Sequence, residues 1–224
     1  MINTKKFIVL NFKAYSSTYG YGGLTLCRIA KEISNSYGVR IIVCPNALLL
    51  AQAAEMGAEV FAQHVDGNKP GPFTGSITAK MLAEINVKGS LLNHSEKRLT
   101  PENIKEAVDS LKENELESMV CVQDVAQAIK YSSFRPTYIA VEPPELIGSG
   151  ISVSTAKPEL ITSSISAIKQ VDEHIKVVCG AGISNAEDVK KAIELGVDGV
   201  LLSSAFVNAP SPRKFLESLV AALE

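Results

Sequence analysis

Short apolar runs recur along this chain, with helix-period stretches between them. The runs cover residues 7–11, 40–44, 59–63, 89–92, 118–122, 137–141, 175–179 and 199–202. Several are continuous and β-branched, as in Arg40-Ile41-Ile42-Val43-Cys44 and Lys176-Val177-Val178-Cys179. That is the pattern of strands covered on both faces in a parallel sheet. Helical spacing fills residues 24–36, 101–113, 158–170 and 185–195. Thr100-Pro101-Glu102-Asn103 is a start signal: a capping hydroxyl, then proline at the first helical position and an acid in the first turn. Leu195-Gly196 is a matching stop. Eight alternations in 224 residues leave about 28 per unit. No spacer, low-complexity tract or charge block marks a second domain, so residues 1–224 are expected to form one domain. Strand–helix alternation predicts a parallel α/β fold, and eight units close into a (β/α)8 barrel. A doubly wound open sheet competes, but it calls for a glycine fingerprint after the first strand. The chain has Asn11-Phe12-Lys13 there, and the later Gly180-Ala181-Gly182 has Asn185 where a third glycine would fall.

Composition narrows the function classes. Hydrophobic content of 46% and charged content of 21% suit a protein that buries a sizeable core. A net charge of −2 carries no basic excess of the kind that binds nucleic acid. No apolar run approaches the roughly 20 residues that span a bilayer. The start, Met1-Ile2-Asn3-Thr4-Lys5-Lys6, leads into too short an apolar stretch for a secretory signal, so the expected compartment is the cytoplasm. Cys27, Cys44, Cys121 and Cys179 form no Cys-x-x-Cys pair and read as buried, reduced thiols. His64, His94 and His174 are too scattered for a metal motif.

Chemistry concentrates where strands end. Val141-Glu142-Pro143-Pro144-Glu145-Leu146-Ile147-Gly148-Ser149-Gly150 places a carboxylate at the end of a strand, followed by two prolines, a short apolar tip and a Gly-Ser-Gly exit. Prolines stiffen the near hinge and glycines free the far one, which is how a closing loop is built. The plainer reading is a surface loop beginning with a solvated glutamate. In a barrel, reactive groups come from the carboxyl ends of strands. Those positions hold Asn11 with Lys13, Asn93-His94-Ser95-Glu96, Glu142, Gly180-Ala181-Gly182 and Ser203-Ser204. Under strand alternation Asn11 and Lys13 share a face. Lys13 is otherwise an ordinary exposed lysine, His94 a satisfied histidine, and Glu96 with Arg98 a local ion pair. Gly180-Ala181-Gly182 before a helix start at Ser184 or Asn185 exposes backbone N–H groups to an anion. Ser203-Ser204 adds a second small-residue loop after strand 8. Barrels bind phosphate with these two loops.

Four motifs in order, Asn11-Phe12-Lys13, Gly71-Pro72-Phe73-Thr74-Gly75, Asn93-His94-Ser95-Glu96-Lys97-Arg98 and Val141 through Gly150, resemble the triosephosphate isomerase family across the whole chain. Short length and the Glu-Pro-Pro-Glu-Leu-Ile-Gly-Ser-Gly loop are most similar to its compact archaeal members. The resemblance implies interconversion of dihydroxyacetone phosphate and D-glyceraldehyde 3-phosphate through an enediol(ate), in glycolysis and gluconeogenesis. It implies Glu142 as the base, and His94 as a neutral electrophile kept so by a short helix opening at Ser95-Glu96. Lys13 would stabilise developing charge and Asn11 would orient the oxygen. Phosphate contacts fall to Lys13, Gly182, Ser203 and Ser204, with Ile147 and Gly148 from the lid formed by Pro143, Pro144, Glu145, Leu146, Ile147, Gly148, Ser149 and Gly150. No metal or organic cofactor is implied. The loop from Gly71 to Gly75, carrying Phe73, implies a homodimer, which the compact branch often pairs into tetramers.

The chain departs from the family at three places. Gly182 stands where a phosphate-binding serine is usual, Cys179 where a lid-latching tyrosine is usual, and Ser203-Ser204 where two glycines are usual. What latches the lid is therefore open. Two rivals remain at this point: a phosphosugar aldolase using Lys13 as a Schiff base, and a barrel that binds phosphate without catalysis.

Overall fold

In the computed structural model, which describes residues 6–143 and 153–223, eight parallel strands close into a barrel in sequence order. They are β1 (Phe7–Asn11), β2 (Arg40–Cys44), β3 (Glu59–Ala62), β4 (Gly89–Leu92), β5 (Glu117–Val122), β6 (Tyr138–Val141), β7 (Lys176–Cys179) and β8 (Gly199–Leu202). β8 pairs back onto β1, with Phe7 beside Gly199 and Leu10 beside Leu202. The expected strands all form, with ends displaced by one residue at most. The fold is the (β/α)8 barrel, not the open sheet.

Ten helices lie among the described residues: α1 (Gly20–Tyr37), α2 (Leu50–Glu55), α3 (Ala79–Glu84), α4 (Pro101–Glu113), α5 (Val125–Ser132), α6 (Val153–Ala156), α7 (Pro158–Val171), α8 (Ala186–Glu194), α9 (Ser204–Val207) and α10 (Pro212–Ala221). Their ends follow the expected chemistry. The Thr100 hydroxyl accepts the Asn103 N–H at 3.3 Å, with Pro101 at the first helical position of α4. After α8, Gly196 takes φ +97°, a conformation that closes the helix and that a side chain would strain.

The strands bury both faces, and the two faces do different work. Ile8, Leu10, Ile41, Val43, Ile139 and Val177 point outward into a core shared with the helices. A second cluster fills the barrel: Phe7, Val9, Ile42, Phe61, Leu91, Met119, Cys121, Tyr138, Ala140, Val178 and Leu201 among them. Because side chains alternate, the next inward position after each of these is fixed. Val9 leads to Asn11, Phe61 to Gln63, Leu91 to Asn93, Ala140 to Glu142, Val178 to Gly180 and Leu201 to Ser203. The mouth is therefore the last layer of the interior, and it is polar.

The opposite layer closes the floor. Arg40 donates to Glu59, Glu117 and the Tyr138 hydroxyl, and Lys176 lies 5.7 Å above the Tyr138 ring. Burial works against the Arg40 charge, but Glu59 and Glu117 more than offset it and hold its pKa above the ordinary value. Gly89 and Gly199 complete this layer, since a Cβ on either would meet the Phe61 or Phe7 ring within 2.8 Å. All four cysteines are buried and unpaired. No helix among the described residues is long and apolar enough to cross a membrane.

Candidate active site

The sequence-predicted residues Asn11, Lys13, His94, Glu142, Gly182 and Ser203 come together at the carboxyl end of the barrel. Alternation does not place Lys13, as expected from the sequence, because the strand stops at Asn11. Instead Lys13 takes φ +49°, which costs a non-glycine residue about 1 kcal/mol. Neighbours over-determine it. The Asn11 carboxamide oxygen accepts the Lys13 N–H at 3.0 Å. Gln63, at the end of β3, donates to the Lys13 carbonyl at 3.0 Å and to the Cys44 carbonyl at 2.9 Å. Gln63 went unrecognised in the sequence, although it ends its apolar run as Asn11 ends β1, which is the signal that could have found it. The Lys13 ammonium, 14% exposed, reaches Glu96 at 2.7 Å. Glu96 is thus the partner of Lys13 and not of Arg98, whose guanidinium donates to the Asn93 carbonyl at 2.8 Å.

Asn93 turns the chain out of β4 at φ +58°, a conformation asparagine tolerates better than most residues. Its side chain donates to the Cys121 carbonyl at 2.9 Å and accepts the Leu99 N–H at 3.1 Å. His94 follows, 7% exposed. Ser95 and Glu96 form a turn, not the short helix expected. The turn does the same work through one group: the Glu96 N–H donates to His94 Nδ1 at 3.2 Å. A ring nitrogen that accepts carries no proton, so this contact suits the His94 tautomer with its proton on Nε2. The Glu96 carboxylate stands farther from Nδ1, at 3.6 Å, and is engaged by Lys13.

Nε2 faces Glu142, whose Oε1 lies 3.8 Å away, a gap too long for a hydrogen bond. Glu142 is 1% exposed and neither of its oxygens has a hydrogen-bond partner. Burial pushes its pKa up. The charge His94 would carry if protonated, the Cys121 thiol, and the cations of Lys13 and Arg98 pull the other way without prevailing. Beneath it, burial and the Glu142 carboxylate push the Cys121 thiol well above its ordinary range, so it stays protonated. Pro143, next in the chain, is buried. The rest of the expected lid, Pro144, Glu145, Leu146, Ile147, Gly148, Ser149 and Gly150, lies outside the described residues.

Beside His94 and Lys13 a cavity of about 160 Å³ opens between the loops after β7 and β8. Gly182 lines it at φ +72°. Ser203 lines it with a buried hydroxyl that has no partner, while Ser204 is exposed. The N-terminus of α8 is satisfied in part from within the chain. Asn185 caps it by accepting the Asp188 N–H at 2.9 Å, and Asp188 accepts both the N–H and the hydroxyl of Ser184. The short helix α9 is the open one: its cap, Ser203, makes no side-chain cap bond.

Orphaned buried oxygens normally signal an unmade contact. Among the described residues three of the four such side-chain atoms, Glu142 Oε1 and Oε2 and Ser203 Oγ, border this mouth. A buried carboxyl facing an imidazole at the mouth of a closed (β/α)8 barrel, with a lysine beside two small-residue loops, is the arrangement of a barrel enzyme. The family profile for triosephosphate isomerase matches residues 6–222. Triosephosphate isomerase of Methanothermus fervidus is 45% identical over 217 residues, covering 96% of this chain and 98% of that protein. The enzymes of the same name from Archaeoglobus fulgidus and Methanosarcina barkeri are 43% and 42% identical, each covering 96% of this chain and 97% of their own length. The chain belongs to the triosephosphate isomerase family.

Proposed function

We propose that this chain interconverts dihydroxyacetone phosphate and D-glyceraldehyde 3-phosphate, with Glu142 carrying the proton. Family membership supports the reaction. The observation that carries the assignment of roles is the buried, unpaired carboxyl of Glu142 across a 3.8 Å gap from His94 Nε2. Glu142 removes the proton from the carbon beside the carbonyl, and the electron pair moves onto the carbonyl oxygen. The His94 Nε2–H donates to that oxygen, and Asn11 and the Lys13 ammonium stabilise the charge that develops. His94 Nε2 gives its proton to that oxygen and takes the hydroxyl proton from the neighbouring oxygen. Glu142 returns its proton to the former carbonyl carbon, giving the isomer. An ordinary carboxylate is a weak base, and burial strengthens it toward neutral pH. Ser95 and Glu96 support His94 through the turn that supplies its N–H donor.

Phosphate is held in the cavity between the last two βα loops by the Gly182 backbone, the Ser203 hydroxyl, Ser204 and Lys13. Ile147 and Gly148 join from the lid, as part of the sequence reading alone. Closure of that lid excludes water from the enediolate. No cofactor enters this mechanism. Four buried thiols without disulfides suit a reducing compartment, and a cytoplasmic site is part of the reading.

The working unit we propose is a homodimer through the loop from Gly71 to Gly75. That loop is pinned at its base, where Asp66 accepts the Ile77 N–H at 2.9 Å, and it presents Phe73 47% exposed. A cavity of about 290 Å³ next to Lys13 and His94, where Ala47, Leu50 and Ile77 meet Gln63, His64 and Lys97, offers a mixed apolar and polar socket, and neighbouring Leu48 is 92% exposed. Pairing into tetramers rests on the resemblance. Sedimentation equilibrium giving a monomer at micromolar concentration would sink the dimer.

A coupled isomerase assay on wild type, Glu142→Asp and His94→Gln tests the roles. Shortening the base by one methylene displaces it by about 1 Å and is expected to cost about 100-fold in rate. Losing the imidazole donor is expected to cost at least as much. Activity untouched by either substitution refutes the assignment. The aldolase alternative has no specific support here, since Lys13 is engaged as a cation with Glu96.

A further inference from the structure

Gly180 follows β7 at the next inward position after Val178, in the layer that carries Asn11, Asn93, Glu142 and Ser203. Alone among those five it has no side chain. Its N–H donates to the Val141 carbonyl at 3.0 Å, which holds it beside Glu142 in the β6–β7 register. Backbone conformation does not demand a glycine there: Gly182 takes φ +72°, but Gly180 lies outside the left-handed region. Space does. A Cβ on Gly180 would fall 2.5 Å from Glu142 Cγ, 3.0 Å from Oε1 and 3.2 Å from Cδ. The closest of these atoms is in the middle of the side chain, and Glu142 is 1% exposed, so it has little room to yield.

We infer that Gly180 is a positioning residue for the proton transfer: the missing side chain is the space in which the Glu142 carboxylate is held opposite His94. This rests on Glu142 being the base, as proposed above. It also separates Gly180 from Gly182 in function. Gly182 serves the phosphate loop, and Gly180 serves the base. Restoring ordinary contact with an alanine Cβ, from 2.5 Å to about 3.4 Å, moves Glu142 by about 0.9 Å. Displacements near 1 Å cost on the order of 100-fold in rate.

The test is Gly180→Ala, assayed with D-glyceraldehyde 3-phosphate alongside Glu142→Asp, with melting temperatures of Gly180→Ala in wild-type and Glu142→Ala backgrounds. The expected result is a kcat about 100-fold lower with KM within about three-fold, and a lowered melting temperature. That melting loss should vanish in the Glu142→Ala background, which lacks the Cγ the alanine would strike. Unchanged kcat overturns the inference, and so does a melting loss that persists without the Glu142 side chain. A raised KM at unchanged kcat overturns it as well, returning Gly180 to the phosphate loop. Should Gly180→Ala fail to fold, recovery of folded protein in the double variant supports the inference, and failure of the double variant overturns it. Glu142→Asp at full activity refutes the base itself, whatever Gly180→Ala does, and takes the inference with it. Glu142→Asp impaired while Gly180→Ala is unimpaired leaves the base standing and overturns the inference alone.

Discussion

Replacing Glu142 with Gln keeps the shape of the proposed base and removes its charge, and the effect on stability should depend on pH. Both oxygens of Glu142 are buried with no N–H or O–H donor and only the weak Cys121 thiol beside them, and burial raises its pKa above the ordinary value of 4.5. An acid with a higher pKa folded than unfolded binds its proton more tightly in the native state. The contribution of Glu142 to native stability is therefore greatest below 4.5. It falls as pH rises through the interval up to the folded value, and the whole increment is lost above it. An orphaned buried acceptor costs about 1–3 kcal/mol, so the carboxylate burdens the unliganded protein by on the order of 2 kcal/mol at neutral pH. For a chain of this size about 1 kcal/mol corresponds to about 2–4 °C in melting temperature. The melting difference, Glu142→Gln minus wild type, should then be about 4–8 °C larger at pH 8 than at pH 4. Comparing two pH values cancels the fixed cost of burying the glutamine amide. Scanning calorimetry from pH 4 to pH 8, with reversibility checked at each step, measures it. A melting difference that stays constant over that range refutes the account of Glu142 as a desolvated carboxylate.

Two further outcomes follow from other layers of the barrel. Ser203→Ala removes a hydroxyl that has no partner in the unliganded protein, so its melting temperature should not fall. Loss of one hydrogen bond to a charged group, about 1.5–3 kcal/mol, should raise KM roughly 10- to 100-fold, and an unchanged KM from initial rates would count against Ser203 as a phosphate ligand. On the floor, Arg40→Met leaves Glu59 and Glu117 facing each other without their cation. Breaking a fully buried pair costs about 3–5 kcal/mol, but these side chains are 28–33% exposed, so about 2 kcal/mol is expected. Calorimetry should show a drop of about 4–8 °C while kcat, set at the opposite mouth, stays within about two-fold.

Much of the site was legible because its residues sit at strand ends, where apolar runs stop and polar ones begin. Asn11, His94, Glu142 and Ser203 were all found that way. The readings that failed relied on carrying a regular element beyond its end. Strand alternation was extended to Lys13, which in fact lies in a left-handed turn set by Asn11 and Gln63. A helix was expected at Ser95-Glu96, where a single turn N–H reaches His94. The α8 N-terminus was offered to phosphate, but Asn185 takes the Asp188 N–H and Asp188 takes the Ser184 N–H, which leaves fewer donors than expected. These differences share one cause: side-chain to backbone hydrogen bonds, most between residues two to four apart and one reaching 50 positions from Gln63, take over where the regular element ends.

Order along the chain was decided by sequence alone. Eight apolar runs separated by helical periods, with a cap at Thr100 and a helix start at Ser184 or Asn185, specify the strands, their succession and the rim on which chemistry gathers. Phase was not. Strands buried on both faces read as unbroken apolar runs, so nothing in Lys176-Val177-Val178-Cys179 says which side chains point inward. Closing the sheet settles it, because eight neighbouring strands must place alternate residues in one interior. That closure puts Arg40, Glu59 and Glu117 on the floor, and Glu142 beside a residue with no side chain to obstruct it. Gly180 looks in the sequence like half of a phosphate loop. Only the packing of β7 against β6, with a would-be Cβ 2.5 Å from Glu142 Cγ, ties it to the base.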